Sequence, residues 1–350
     1  MTKRVGIIGA GAVGLAMAVE YSLAGHEVVL GEVKGFADRL PENGCIHYQG
    51  LTFADMKTVA LSERQVRIAG EYADFNRAKC EVVFVVTTAH PHERLLKDLN
   101  EILAPDIPII VICGNGSAVA AHLDRPIVES NSAPYGVRVV SRDGGNPAIA
   151  IKILTPKFGI SGTPGSLVAA LPFVQAVYSE AFAYGHELDA LFSNPNPLMH
   201  VSIMLANLTR LDQHKRFTFY DEGVGESVLR IVRAKDVERM LIAEAAGLMP
   251  TAFNDFEGVI DIEGMLVTQH FLECGKISQL LAPNCPDDRY FSEDAPYGLI
   301  PWEGIAAHMN LQARIPIITG EIELVSIVLQ ENLRHQVASR NTAIINALSI

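Results

Sequence analysis

Three glycines near the amino terminus, Gly9, Gly11 and Gly14, constrain this chain more than any other feature. They stand in the run Gly-Ala-Gly-Ala-Val-Gly, directly after the apolar stretch 5–8 and directly before the helical pattern 15–24. A strand, a glycine turn and a helix in that order form the dinucleotide-binding fingerprint of a Rossmann βαβ unit. Gly9 permits the tight turn, Gly11 lets the backbone approach a pyrophosphate, and Gly14 lets strand and helix pack closely. The helix start at Ala12, Val13 and Gly14 then presents backbone N–H groups and the positive dipole end to the phosphates.

The rest of the amino-terminal half agrees with that frame. Short apolar runs at 5–8, 27–30, 81–86, 107–113 and 127–129 alternate with helical patterns, as expected of strands buried on both faces of a doubly wound, mostly parallel α/β sheet. The stretch 148–154 is expected to extend that sheet, followed by a helix over 166–178. Beyond residue 186 helical periodicity takes over, with helices expected at 198–211, 225–247, 264–272, 298–309 and 315–333. The reading is therefore a Rossmann domain over 1–186 and an all-α domain over 187–350. A chain of 350 residues, 49% hydrophobic, is long enough for two cores. A net charge of -12 and the lack of any basic run argue against nucleic-acid binding. No apolar run reaches the ~20 residues of a membrane span, so a soluble, cytoplasmic protein is expected. Cys45, Cys80, Cys113, Cys274 and Cys285 are odd in number and form no Cys-x-x-Cys pair, which points away from a disulfide framework or a structural zinc site.

Glu32 closes the second strand run, where an acidic side chain accepts hydrogen bonds from the adenosine ribose hydroxyls. That favours NAD, while Lys34 and Arg39 nearby keep NADP open. In open α/β sheets ligands sit beyond the carboxyl ends of the strands. Three segments fall there: 87–92 with Thr87 and Thr88, 114–117 with Asn115, and 129–132 with Asn131. The first two are expected to line the nicotinamide side and the third to face substrate. His90 and His92 form a His-x-His pair without a third ligand nearby, so no metal site is expected.

The run Asn194-Pro-Asn-Pro-Leu-Met-His200 is a helix entry. Proline is tolerated in a first helical turn, so a helix is expected from about Leu198 with His200 in its first turn. There the dipole lowers the histidine pKa unless a carboxylate opposes it. The candidate carboxylate lies far along the chain in Arg289-Tyr-Phe-Ser-Glu-Asp294-Ala-Pro-Tyr-Gly298.

These two motifs, with the glycine fingerprint and Glu129-Ser-Asn-Ser-Ala-Pro-Tyr135 plus Arg138 in the same order, resemble the opine dehydrogenases, the octopine/nopaline dehydrogenase family and its compact bacterial relatives. The resemblance implies NAD(P)H-dependent condensation of an amino acid with a 2-oxo acid such as pyruvate, through an imine, to a secondary amine dicarboxylate. It places the proton carrier at His200 with Asp294 as its orienting carboxylate, a substrate-carboxylate contact at Arg289, and further substrate contacts at Asn131 and Tyr135. Arg289 has a plainer reading as an ion pair with Asp287, Asp288 or Glu293. A homodimer is expected from the large apolar helical domain.

Two other functions fit parts of the sequence. One is a reductase of the ketopantoate-reductase or 3-hydroxyacid type, which acts on a carbonyl without an amine and uses a helix lysine; Lys215 and Lys235 are available, without the expected motif around them. The other is a dinucleotide sensor without catalysis, since a fold does not by itself imply chemistry.

Overall fold

The computed structural model describes residues 2–41, 44–49, 56–62, 65–142, 145–154, 157–251 and 280–348. The chain divides into two compact units, Met1–Glu187 and Leu188–Ile350.

The first unit is built on an eight-stranded sheet whose strands read as apolar runs because both faces are covered. Its members are β1 (Arg4–Ile8), β2 (Glu27–Gly31), β5 (Val66–Ile68), β6 (Val82–Val85), β7 (Ile109–Val111), β8 (Ile127–Ser130), β11 (Gly159–Gly162) and β12 (Phe182–Ala183), in the order β12-β11-β8-β7-β6-β1-β2-β5. From β5 to β8 every pairing is parallel, and β11 joins β8 antiparallel. Side chains alternate between two cores at the period of a strand. Val5, Ile7, Val28, Leu30, Val82 and Phe84 point to one face, while Ile8, Val29, Val83 and Val85 point to the other. The second face is closed by the helix His92–Ile102, whose Leu95, Leu96 and Leu99 form a clear apolar stripe.

The first face carries the helix Ala12–Leu23, and this helix is apolar nearly all round, with Leu15, Ala16, Met17, Ala18, Val19 and Tyr21 buried. A helix of that kind needs cover on more than one side. The second cover is a four-stranded sheet of β3 (Cys45–Gln49), β4 (Met56–Ala60), β9 (Tyr135–Ser141) and β10 (Ala148–Leu154), in the order β4-β3-β10-β9. Its Ile46, Tyr48, Val59, Val137, Ile149 and Ile151 share one core with the helix. The stretch 148–154 therefore does not extend the main sheet, contrary to the sequence expectation. Its backbone groups are taken by β3 and β9, and the edge at β8 is occupied by β11 instead.

The order of connection reverses at β1, with β2 on one side and β6 on the other. Such a switch point opens a crevice at the strand carboxyl ends, and the glycine turn 9–14 stands there.

In the second unit the described elements are helical, with one isolated bridge between Thr218 and Leu281. The main helices are Pro195–Ala206, Glu226–Ala245, Ile300–His308 and Pro316–Leu329, and the chain ends in Ala338–Ala347. The helix expected at 264–272 lies outside the described residues. Trp302 is fully buried and stacks on Phe192 with centroids 5.8 Å apart. Arg239, equally buried, is neutralised by Asp236 and donates to the carbonyls of Phe192 and Thr251. Glu238 caps the helix Pro316–Leu329 from outside, accepting from the Ile317 and Ile318 N–H groups. Its carboxylate lies where the unpaired donors and positive dipole end of that helix welcome it. Among the described residues no helix is long and apolar enough to cross a membrane.

Candidate active site

The residues expected to hold a cofactor belong to the first unit. Gly9 has φ +114°, and a methyl group there would sit 2.2 Å from the Val86 carbonyl oxygen. One at Gly14 would sit 1.8 Å from the Gly9 carbonyl. Both positions therefore require glycine, the first for its left-handed backbone and the second for close helix–strand approach. At Gly11 an added methyl would meet no atom within 4 Å, and Gly11 caps the helix Ala12–Leu23 without a side-chain hydrogen bond. That arrangement fits a pyrophosphate on the N–H groups of Ala12, Val13 and Gly14. Glu32 stands one residue past β2, its Oε2 accepting from Ala10 N–H at 2.8 Å and its Oε1 from Val33 N–H. Glu32 is thus tied directly to the glycine turn. Thr87 lies against Gly9, 3.1 Å from where its Cβ would be, and its hydroxyl donates to the Thr88 carbonyl.

Asn115 has φ +54° in the loop after β7, and the loop is held from beneath by Glu129. This buried carboxylate accepts from Gly116 N–H at 2.7 Å and Ala118 N–H at 2.9 Å. A side chain at Gly114 would collide with it at 2.5 Å. Asn131 exchanges hydrogen bonds with the Gly159 backbone, its Oδ1 accepting from Gly159 N–H at 2.9 Å and its own N–H donating to the Gly159 carbonyl. Tyr135 is a core residue of the first unit: its hydroxyl donates to Tyr178 at 3.0 Å, and burial pushes its pKa well up. His92 is buried with Nδ1 2.6 Å from the Ser117 hydroxyl, so it braces the same loop.

The residues expected to carry the chemistry belong to the second unit. Asn194 caps the helix Pro195–Ala206, its Oδ1 accepting from Asn196 N–H at 2.9 Å. The helix begins at Pro195, three residues earlier than expected, because Asn194 supplies the cap and both prolines fit within the first turn where no donor is needed. His200 therefore stands in the second turn, beyond the strongest reach of the dipole.

His200 is buried and both of its ring nitrogens are engaged. Nδ1 lies 2.7 Å from Oδ2 of Asp294, and Nε2 lies 2.9 Å from the hydroxyl of Tyr220. The ring stacks on Tyr290 with centroids 3.9 Å apart and meets the edge of Phe219. With Asp294 ionised, Nδ1 holds its proton toward the carboxylate and Nε2 accepts from the phenol. Once Nε2 is protonated the imidazolium donates to the phenolic oxygen. Burial pushes the Asp294 carboxyl up to about 7, against the opposing charge of Arg289. Asp294 precedes a wide π-turn, Ala295–Leu299, that ends in the helix Ile300–His308. Gly298 in that turn explains how two motifs almost a hundred residues apart meet. A methyl group at this position would lie 2.2 Å from Cγ of Pro197, so the turn packs directly on the first turn of the His200 helix. Gly298→Ala is expected to cost about 1–3 kcal/mol by overpacking and to lower turnover through displacement of His200. Urea unfolding with kcat on the same preparation checks this; native values for both would reject the contact as a constraint.

Arg289 is half exposed on the short helix Arg289–Ser292. Its Nη1 is 3.9 Å from Glu293, and its guanidinium lies 5.0 Å from the Tyr290 ring that stacks on His200. The structure thus brings His200, Asp294 and Arg289 into one cluster and adds Tyr220 and Tyr290. Tyr290 was legible as the neighbour of Arg289 in its motif. Tyr220 was not, since it comes from the turn region 217–223 with no spacing that ties it to His200.

Residues 183–329 match the family described as NAD/NADP octopine/nopaline dehydrogenase, alpha-helical domain. Residues 183–329 are thus similar to the helical domain of the octopine/nopaline dehydrogenases. Residues 5–141 match a second family, ketopantoate reductase PanE/ApbA. Among solved structures, octopine dehydrogenase in complex with NADH and agmatine has a TM-score of 0.72 at 14% identity, over 98% of this chain and 96% of that one. Octopine dehydrogenase with NADH and L-arginine has a TM-score of 0.69 at 15% identity, over 94% and 90%. A PanE/ApbA family ketopantoate reductase from Ralstonia eutropha follows at 0.58 and 14% identity, over 95% and 99%. No curated protein matches the sequence. Together the two domain families support an NAD(P)H-dependent dehydrogenase or reductase, with a Rossmann unit and a helical unit as its architecture.

Proposed function

We propose that the protein is an opine dehydrogenase, joining an amino acid to a 2-oxo acid through an imine and reducing that imine to a secondary amine. The observation that carries the reading is the buried His200, held between Asp294 and Tyr220 in a helical domain of the octopine/nopaline dehydrogenase type. Condensation expels water from the amine and the carbonyl, and both steps need a group that gives and recovers protons near neutrality. A histidine oriented by a carboxylate suits that task. Asp294 fixes the proton on Nδ1 and stabilises the imidazolium, leaving Nε2 to exchange a proton with the reacting nitrogen or oxygen by way of the Tyr220 hydroxyl position. Arg289 offers a planar fork for a substrate carboxylate. The turn 9–14 and Glu32 would hold the nicotinamide cofactor, which would supply the hydride. NAD is the first expectation because of Glu32.

The substrate pair is drawn by analogy from octopine dehydrogenase structures solved with L-arginine and with pyruvate. The carbonyl-only alternative uses a lysine as proton carrier. Here Lys215 is exposed, and Lys235 is fully buried with its ammonium 2.6 Å from Glu321. Neither supports that alternative.

The test is NADH oxidation with pyruvate and a panel of amino acids, each component omitted in turn. Turnover that requires both amine and oxo acid is expected. Turnover with the oxo acid alone would move the protein to the hydroxy-acid reductases, and cofactor binding with no turnover on any pair would favour a sensor.

A further inference from the structure

Arg142 follows β9 of the second sheet, far from the fingerprint in sequence, yet its guanidinium is fastened to the cofactor end of the first unit. Nη2 donates to the Ala10 carbonyl at 2.8 Å and Nη1 to the Arg39 carbonyl at 2.6 Å. The backbone of Ala10 is therefore held at both ends, its N–H by Glu32 and its C=O by Arg142. One residue, Ala10, thus links a carboxylate suited to a ribose diol and a guanidinium suited to a phosphate. The Arg39 carbonyl ends the turn Ala37–Arg39 that follows β2, so Arg142 spans from the glycine turn to the segment that carries Lys34 and Arg39. Both of those cations are exposed, and Arg39 lies over the Phe36 ring at 4.4 Å.

We infer that Arg142 forms a subsite for the 2′-phosphate of NADP beside Glu32, so that the site accepts either nicotinamide cofactor. This rests on the dinucleotide reading of the turn 9–14. Two guanidinium nitrogens are each committed through one N–H to a backbone carbonyl, which fixes the plane of the group. The other N–H of each nitrogen remains for a phosphate oxygen, and a planar fork held in place loses little freedom on pairing with a phosphate. With NAD, Glu32 accepts from the 2′-hydroxyl and Arg142 stays with its carbonyls. With NADP, Arg142 and the neighbouring Lys34 and Arg39 offset the repulsion between Glu32 and the phosphate. The second sheet then has a task beyond covering the helix Ala12–Leu23: it delivers a cation that the Rossmann turn itself lacks.

The experiment measures dissociation constants of NADPH and NADH by the fluorescence of the reduced nicotinamide, with the native protein, Arg142→Gln and Arg142→Lys. The native protein is expected to bind both. Arg142→Gln is expected to lose about tenfold or more in NADPH affinity and much less in NADH affinity, which loses only the brace on the Ala10 carbonyl. Arg142→Lys should fall between, since it keeps the charge and loses the fork. Retained NADH binding also shows that the variant is folded. Equal losses for both cofactors, or no loss for either, would overturn the subsite, as would native protein that binds NADH but not NADPH; in each case the dinucleotide reading stands. Binding of neither by the native protein would sink that underlying reading itself.

Discussion

His200→Ala is expected to lower kcat by about 10²- to 10⁴-fold, the range a positioned general acid or base supplies, with NADH affinity unchanged because the fingerprint lies in the other unit. Asp294→Asn should give a loss of the same order while preserving shape. The amide can still accept from Nδ1, but the imidazolium then has no counter-charge in a site where His200 is 4% and Asp294 2% exposed, and little water is present to replace it. The pH dependence separates the two roles. Burial pushes the Asp294 carboxyl up to about 7, so the native enzyme is expected to show a limb near neutrality that belongs to the His–Asp pair jointly. In Asp294→Asn that limb moves to lower pH, because an imidazolium facing an amide gives up its proton more easily. Stability carries a sign of its own. A carboxyl whose folded pKa lies above its unfolded value of 3.8 contributes stability that is complete below that value and lost as pH rises through about 7. Native stability should therefore decline relative to Asp294→Asn between those limits, as urea unfolding at mildly acidic and mildly basic pH would read. Full activity in His200→Ala would remove the histidine from the mechanism.

Much of this was readable in the chain, and the boundary between legible and illegible is physical. Gly9 and Gly14 were legible because a carbonyl oxygen fills the space their side chains would need, a constraint that leaves its mark on sequence. The parallel strands were legible as apolar runs because both faces are buried. The second sheet was only partly so. Strand β3 buries alternate residues over a span of five, too short a signal to stand out, and its parallel partner β10 lies about a hundred residues away. Such pairing depends on register across long separations and leaves no local pattern. The same limit explains why 148–154 reads as a strand of the main sheet while it pairs with β3 and β9. His200, Asp294 and Arg289 were found through motif resemblance, and the structure supplies what no spacing carries: Gly298 against Pro197 as the contact that joins the motifs. Tyr220 and Arg142 were missed for one reason. Each reaches its partner from a loop or strand end, where side-chain direction follows from tertiary packing and not from periodicity.

The largest loss of stability is expected from breaking the buried pair beneath the His200 helix. Lys235 is 0% exposed, and its ammonium donates to Glu321 Oε2 at 2.6 Å and to the Pro197 carbonyl at 2.9 Å. The other carboxylate oxygen of Glu321 accepts from Ser202 at 2.6 Å. Three helices are thus joined, with contacts on the His200 helix at Pro197 and Ser202, on either side of the histidine. Removing one partner leaves an unpaired charge in the core, which costs about 3–5 kcal/mol, so Glu321→Ala should unfold at much lower urea concentration. Replacing both by apolar residues of similar size removes the charge with its partner and is often neutral, so Lys235→Met with Glu321→Leu should recover most of the loss. If the double variant is stable but turns over slowly, the pair serves to position His200. If Lys235→Met with Glu321→Leu is both stable and fully active, the His200 helix is held by apolar packing and the buried charges are dispensable. A lysine that carried the reacting proton would behave otherwise: the double variant would be stable and dead, and the effect of His200→Ala would be small.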